Sequence, residues 1–293
     1  MADTLNYSRF KVGSCTGDSL QERRGWILSQ DLVIRLATRP FNLLSSVYPH
    51  EINHEIPDVS VPAPSIEQYY QCFKVFVTEL KNPTVNTTYS YVVNFGNDLP
   101  ENFFKEIDTA FVKETTQKNS YSKYTGKSHP SKPVYWLSYN KSEQKYVKVS
   151  MLRAKIVYCR LYEKFILSSP FFKLLYDQYK QYNGDVTILS YGVCNKFTHF
   201  ENRDELIQFF CNSNYDFSDC YCLIEILLNY PNTDRCFWND DDMLQPEIDK
   251  ADLELLNKHI SYVKHIQKHP EKQNIKPYSY ITNDDIVDAA DFI

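Results

Sequence analysis

Glycine is scarce here, with 7 residues in 293, well under the usual share of about 7%. Glycine supplies the left-handed and closely approached backbone on which phosphate-cradling loops depend. Folds built on repeated Gly-rich phosphate loops are therefore disfavoured. Gly13-Ser14-Cys15-Thr16-Gly17-Asp18 could form an anion-binding nest or a plain turn, but lacks the GxxxxGK[ST] spacing of a P-loop. Tyrosine (23) and phenylalanine (18) are abundant instead, and aromatic rings of this kind fill cores and line binding sites.

At 43% hydrophobic and 24% charged residues, the chain has ordinary globular composition and enough length for a substantial core. Its net charge of -5 gives no global basic footprint for duplex DNA, although a local basic patch stays open. No basic segment followed by an apolar run opens the chain, and no apolar run approaches a membrane span, so the expected location is intracellular, in cytoplasm or nucleus, with no membrane partner. The 8 cysteines include no CxxC pair. They are expected to be reduced, mostly buried thiols. His265 and His269 lack the HExxH context, and Asp240-Asp241-Asp242 lacks EF-hand alternation, so no metal and no cofactor is expected.

Residues 1–30 read as a loop-rich start. A short helix is predicted over Asp31–Ala37, stopped by Arg39-Pro40, and then a Pro-punctuated extended connection over 41–64. Ser65-Ile66-Glu67-Gln68 matches a capping box, and Ile66, Tyr69, Tyr70, Phe73, Val77 and Leu80 recur at helical spacing, predicting a helix over 65–80. A polar loop follows at 114–133. Val134–Leu137 and Lys145–Val149 read as a hairpin around Asn140-Lys141-Ser142. Helices are predicted from Met151 to Phe165 and from Ser169-Pro170 to Asn183-Gly184, and then a strand at Val186–Tyr191. Further helices fall near 203–210, 219–229 and 247–268. This order predicts a helix-dominated α+β domain with short strands. The expected organisation is one domain over 1–245, an amphipathic helix over 246–268 packed on it, and a polar, acidic tail over 269–293.

On the predicted helix, Glu67, Gln71 and Lys74 form one polar stripe at i, i+4 and i+7. The stripe is either a carboxylate and an ammonium held beside a pocket flanked by Tyr70, or a solvated face. Arg153, Arg160 and Lys164 similarly share a face that could hold a phosphate, or be solvated with an Arg160–Glu163 pair.

Two segments together resemble the NADAR family of N-glycosidases. Leu44-Ser45-Ser46-Val47-Tyr48-Pro49 and Pro64-Ser65-Ile66-Glu67-Gln68-Tyr69-Tyr70-Gln71-Cys72-Phe73-Lys74 are similar to its LSNFYP and WPSVEHYYQAQKF patterns. Met151-Leu152-Arg153-Ala154-Lys155 and Ser169-Pro170-Phe171-Phe172-Lys173-Leu174-Leu175 are similar to its later helix and the stretch that follows. Ser46, Ala63 and Gln68 replace the family's Asn, Trp and His. Ser190-Tyr191-Gly192 and Asp219-Cys220-Tyr221-Cys222-Leu223 stand where its D-x-x-W-G and G-x-N-x-L-G block would fall. Arg153 with Val157-Tyr158-Cys159-Arg160-Leu161-Tyr162-Glu163 is also similar to a helix of uncharacterised large DNA virus proteins.

The resemblance implies a NADAR-like fold and cleavage of an N-glycosidic bond at ribose C1 through an oxocarbenium-like transition state. It implies Glu67 as the catalytic carboxylate, Lys74 as its catalytic cation, and Tyr69, Tyr70, Arg153 and Lys155 as substrate-binding residues. The implied partner is an ADP-ribose-like or nucleotide small molecule, or a modified nucleic acid. Two other classes stand beside this: a catalytically inactive ADP-ribose or nucleotide binder, and a viral structural or host-interaction protein that docks on a host protein.

Overall fold

The computed structural model describes residues 5–14, 27, 30–75, 79–81, 88–91, 103–112, 135–190, 198–211 and 218–240. The 114–133 loop, the 247–268 helix, the acidic tail, Asp241, Asp242 and most of the Gly13–Asp18 segment lie outside these residues. In chain order the elements are β1 (Phe10–Ser14), β2 (Leu32–Arg35), α1 (Ile66–Cys72), β3 (Lys74–Val75), β4 (Glu79–Lys81), β5 (Thr88–Tyr91), α2 (Phe103–Val112), β6 (Tyr135–Asn140), β7 (Lys145–Val149), α3 (Met151–Ser168), α4 (Pro170–Gln181), β8 (Val186–Ser190), β9 (Thr198–His199), α5 (Arg203–Cys211) and α6 (Asp219–Asn229). The fold is α+β. The chain divides into two units, Met1–His50 with Lys155–Leu244, and Glu51–Ala154 with Gln245–Ile293.

The first unit is organised on a four-stranded mixed sheet in the order β2-β8-β1-β9. β8 lies between β1 and β2, parallel to both, while β9 pairs antiparallel with β1. All five residues of Val186-Thr187-Ile188-Leu189-Ser190 are buried, as a central strand covered on both faces requires. α6 packs against β1 and β8. Every α6 residue except Leu228 is buried, which explains why Cys-Tyr-Cys-Leu-Ile-Glu-Ile-Leu-Leu is apolar almost all round.

Two expectations are corrected here. The loop-rich start contains strand β1, and the predicted Asp31–Ala37 helix is strand β2. The apolar run Leu32-Val33-Ile34 is too short to distinguish the two by periodicity. Its backbone pairs with β8 instead: the Leu32 amide donates to the Asp185 carbonyl at 2.9 Å and the Leu36 amide to the Leu189 carbonyl at 2.8 Å.

α4 begins as its sequence signals, with Ser169 before Pro170. The 41–64 connection holds a 3-10 turn at Phe41–Leu44 and, further on, a bridge between Ile52 and Ala63.

The second unit contains the three-stranded antiparallel sheet β3-β6-β7. β6 and β7 form the expected hairpin, with Tyr139 opposite Tyr146 and their rings 5.3 Å apart. A separate β4–β5 pair lies in the same unit. α1 and α2 pack on each other.

A candidate carboxylate site on a capped helix

Ser65 caps α1 from extended backbone (φ -159, ψ 163), and its Oγ accepts the Gln68 amide at 3.2 Å. One otherwise orphaned amide of the first turn is thereby satisfied. Glu67 sits in that turn, half-buried, where the helix dipole favours a negative charge. Four residues on, Gln71 Nε2 donates to Glu67 Oε1 at 2.8 Å, which fixes the orientation of the carboxylate.

The helix does not reach residue 80. It stops at Cys72, Phe73 leaves helical geometry (φ -89, ψ 1), and Lys74–Val75 enters β3. The sequence Val75-Phe76-Val77-Thr78 is β-prone, and the sheet pairs Lys74 with Trp136 and Val75 with Tyr135. The Leu137 amide adds a bond to the Phe73 carbonyl at 2.9 Å. Glu67 and Gln71 therefore share a helix face, and Lys74 belongs to a strand rather than to that stripe. Its ammonium stands 4.0 Å from the centroid of the Tyr70 ring, a cation–π contact.

Tyr69 and Tyr70 take different places. Tyr70 is buried, and its carbonyl accepts the Trp136 indole N–H at 2.9 Å. Tyr69 is half-buried, with Phe73, Trp136 and His54 rings at 5.1, 5.7 and 6.1 Å. Burial pushes its phenol up to about 12, so it is a neutral O–H at physiological pH. His54 is held by the contact of its Nε2 with the Val61 carbonyl at 2.8 Å.

Along α3, Arg153, Arg160 and Glu163 each meet a separate partner. Arg153 is half-buried in the first turn of α3, where its amide donates to Ser150 Oγ at 3.1 Å. Arg160 Nε donates to the Trp238 carbonyl at 3.1 Å. Glu163 Oε2 accepts the Trp238 indole N–H at 2.6 Å and Asn239 Nδ2 at 3.1 Å. Arg160 and Glu163 thus both anchor the 237–239 turn. Lys155 is 5% exposed and its Nζ donates to the Phe210 carbonyl at 2.8 Å, a cation at the C-terminus of α5. The same bond holds the last turn of α5.

In the first unit, a second carboxylate joins residues far apart in sequence. Asp219 opens α6 and is 2% exposed. Its Oδ2 accepts from Ser45 Oγ at 3.0 Å, the Ser46 amide at 3.0 Å and Ser46 Oγ at 3.2 Å. Its Oδ1 accepts from Ser218 Oγ at 3.2 Å. Tyr162, fully buried on α3, holds the same loop by donating to the Leu44 carbonyl at 2.7 Å. Burial, with the Asp219 carboxylate nearby, holds its phenol far above the ordinary range.

Glu225, deeper on α6, is a further buried carboxylate that the sequence reading does not single out. It is fully buried and accepts from Tyr7 at 2.5 Å, from Arg203 Nε and Nη2 at 3.0 and 2.7 Å, and from the Phe237 amide at 3.2 Å. A lone acid inside Leu223-Ile224-Glu225-Ile226-Leu227 was its available signal, since a buried charge requires a partner.

Among the described residues no group of three or more His, Cys, Asp or Glu side chains has the geometry to hold a metal ion, and no helix is long and apolar enough to cross a membrane. Compared with known proteins, the chain matches no protein-family model, no curated protein and no solved structure.

Proposed function

We propose that this chain is a divergent N-glycosidase of the NADAR type, acting on the bond between ribose C1 and a nitrogen of an ADP-ribosylated or nucleotide-like substrate. The observation that carries the reading is the Glu67 carboxylate: half-buried, oriented by Gln71 at 2.8 Å, and seated on a Ser65-capped helix within the segment that resembles the family. N-glycoside cleavage develops positive charge on the ribose ring. Glu67 stabilises that charge and accepts a proton from the attacking water. Lys74 meets a substrate phosphate from β3, and Tyr69 offers a neutral hydroxyl beside it. Arg153 adds a second cation at the start of α3. Lys155 donates to the Phe210 carbonyl. The Ser45-Ser46 segment, which resembles the family's LSNFYP, contacts Asp219 in the stretch that stands where the D-x-x-W-G block would fall, and the absence of that block itself favours the other readings.

A second reading is a catalytically inactive ADP-ribose or nucleotide binder. It is favoured by the placement of Lys74 over Tyr70 on a strand, which leaves no carboxylate–ammonium stripe on α1.

Turnover of an ADP-ribosylated guanine oligonucleotide by the full chain, with calorimetric titration of ADP-ribose, separates the readings. The glycosidase reading expects release of free ADP-ribose and a loss of about 100-fold or more in Glu67→Gln, with stability changed by no more than about 0.5 kcal/mol. Binding without turnover selects the second reading. Neither binding nor turnover removes both and leaves the viral structural or host-interaction class.

A further inference from the structure

We propose that Cys159 of α3 and Cys222 of α6 form a reversible disulfide that ties these two helices together beneath the Leu44–Ser46 loop. Both are free thiols and fully buried, and their sulfurs stand 3.4 Å apart. A disulfide needs about 2.05 Å, so closure requires a further approach of only a little over 1 Å. The neighbouring Cys236 points elsewhere, its Sγ lying 3.8 Å from the Glu225 carbonyl.

Position gives the bond its consequence. Cys159 precedes Tyr162 by three residues on α3, and Cys222 follows Asp219 by three on α6. Residues three apart share a helix face. Tyr162 and Asp219 are the groups that hold the loop, through the Leu44 carbonyl and through Ser45 and Ser46. The thiol pair thus sits one turn from both anchors. Oxidation locks their spacing, and reduction returns it to packing and hydrogen bonds.

The oxidant is hydrogen peroxide. One sulfur, as its thiolate, attacks a peroxide oxygen. The O–O bond breaks, hydroxide leaves and takes up the thiol's proton as water, and a sulfenic acid remains. The second sulfur attacks that sulfenic sulfur, the S–O bond breaks, and a second water leaves. Two thiols are oxidised and one peroxide is reduced to two waters. Burial holds the Cys222 thiol far above its ordinary range and shields both sulfurs from solvent, so oxidation proceeds only through local opening that admits peroxide and frees a thiolate. A dithiol reductant reverses it by exchange.

The test is hydrogen peroxide treatment of the full chain, alkylation in denaturant, digestion without reductant and mass mapping. This bond does not depend on the glycosidase reading. The expected result is a Cys159–Cys222 cross-linked peptide and an upward Tm shift of roughly 5–10 °C, both reversed by dithiothreitol and absent in Cys222→Ser. Both cysteines still alkylated, sulfinic acid without a bridge, or pairing with any other cysteine overturns the proposal. A cross-link that lowers Tm also overturns it, because the helices would then have to move to make it. If Cys222→Ser fails to fold, peptide mapping and Tm of the unsubstituted chain decide.

Discussion

Two buried carboxylates on α6 are stabilised in different ways and should respond differently to substitution. Asp219 is an acceptor hub for neutral donors, three serine hydroxyls and one amide. Asp219→Ala leaves the Ser46 amide buried without its acceptor, a desolvation cost of about 1–3 kcal/mol. Urea unfolding should show that loss, and proteolysis should cut the 44–49 segment sooner. Glu225 instead balances a charge. Arg203→Met leaves it buried with only Tyr7 and one amide, at a cost of about 3 kcal/mol. Replacing both residues, as Arg203→Met with Glu225→Leu, should cost less than Arg203→Met alone, because the uncompensated charge is gone. A double-mutant cycle measured by denaturation checks this; additive losses would show that the pair is not coupled.

At the scale of elements, α1 depends on its cap more than a longer helix would. Seven residues form less than two full turns, so intrinsic propensity contributes little. Ser65→Ala should cost about 1 kcal/mol, and on the glycosidase reading should lower turnover as well, since Glu67 lies in the first turn. Thermal melting and turnover on the same variant check both parts. α1 also shows where sequence reading succeeds and where it stops. The cap, the hairpin around Asn140-Lys141-Ser142 and the Ser169-Pro170 helix start are local signals, and each was legible. The end of α1 was not, because Phe73 and Val77 continue the helical spacing while Trp136, more than sixty residues away, supplies the strand partner that ends it. Lys74 consequently reads as helical in sequence and lies on β3 in the structure. Nothing near Lys155 in sequence reveals the Phe210 carbonyl it donates to. For Asp219, only the fold brings in its partners Ser45 and Ser46, more than 170 residues away.

Across the whole molecule, the many buried phenols and thiols set an alkaline limit. Tyr69 and Cys72 are both pushed up to about 12 by burial, from ordinary values of 10.0 and 9.0. Tyr7, Tyr146, Tyr162, Tyr176 and Tyr179 are also raised, by burial first. Each such group binds its proton more tightly folded than unfolded. Its stabilisation is complete below the unfolded value and is lost as pH rises toward the folded one. Urea midpoints should therefore show no loss from these groups between pH 7 and 9, and should fall progressively from pH 9 to 12. A flat profile to pH 12 would mean that these side chains are far more hydrated than the structure shows.

The order β2-β8-β1-β9 has a consequence for synthesis. β1 and β2 are separated by β8, so neither has its neighbour until residues 186–190 have been made. At a translation rate of about 5–20 residues per second, these N-terminal strands emerge and then wait roughly ten to thirty seconds for the segment that joins them. During that interval Leu32-Val33-Ile34 is an apolar edge without a ladder, open to capture by another nascent chain on the same message. Yield in a cell should accordingly depend on chaperone supply and elongation speed as well as on the stability of the finished fold.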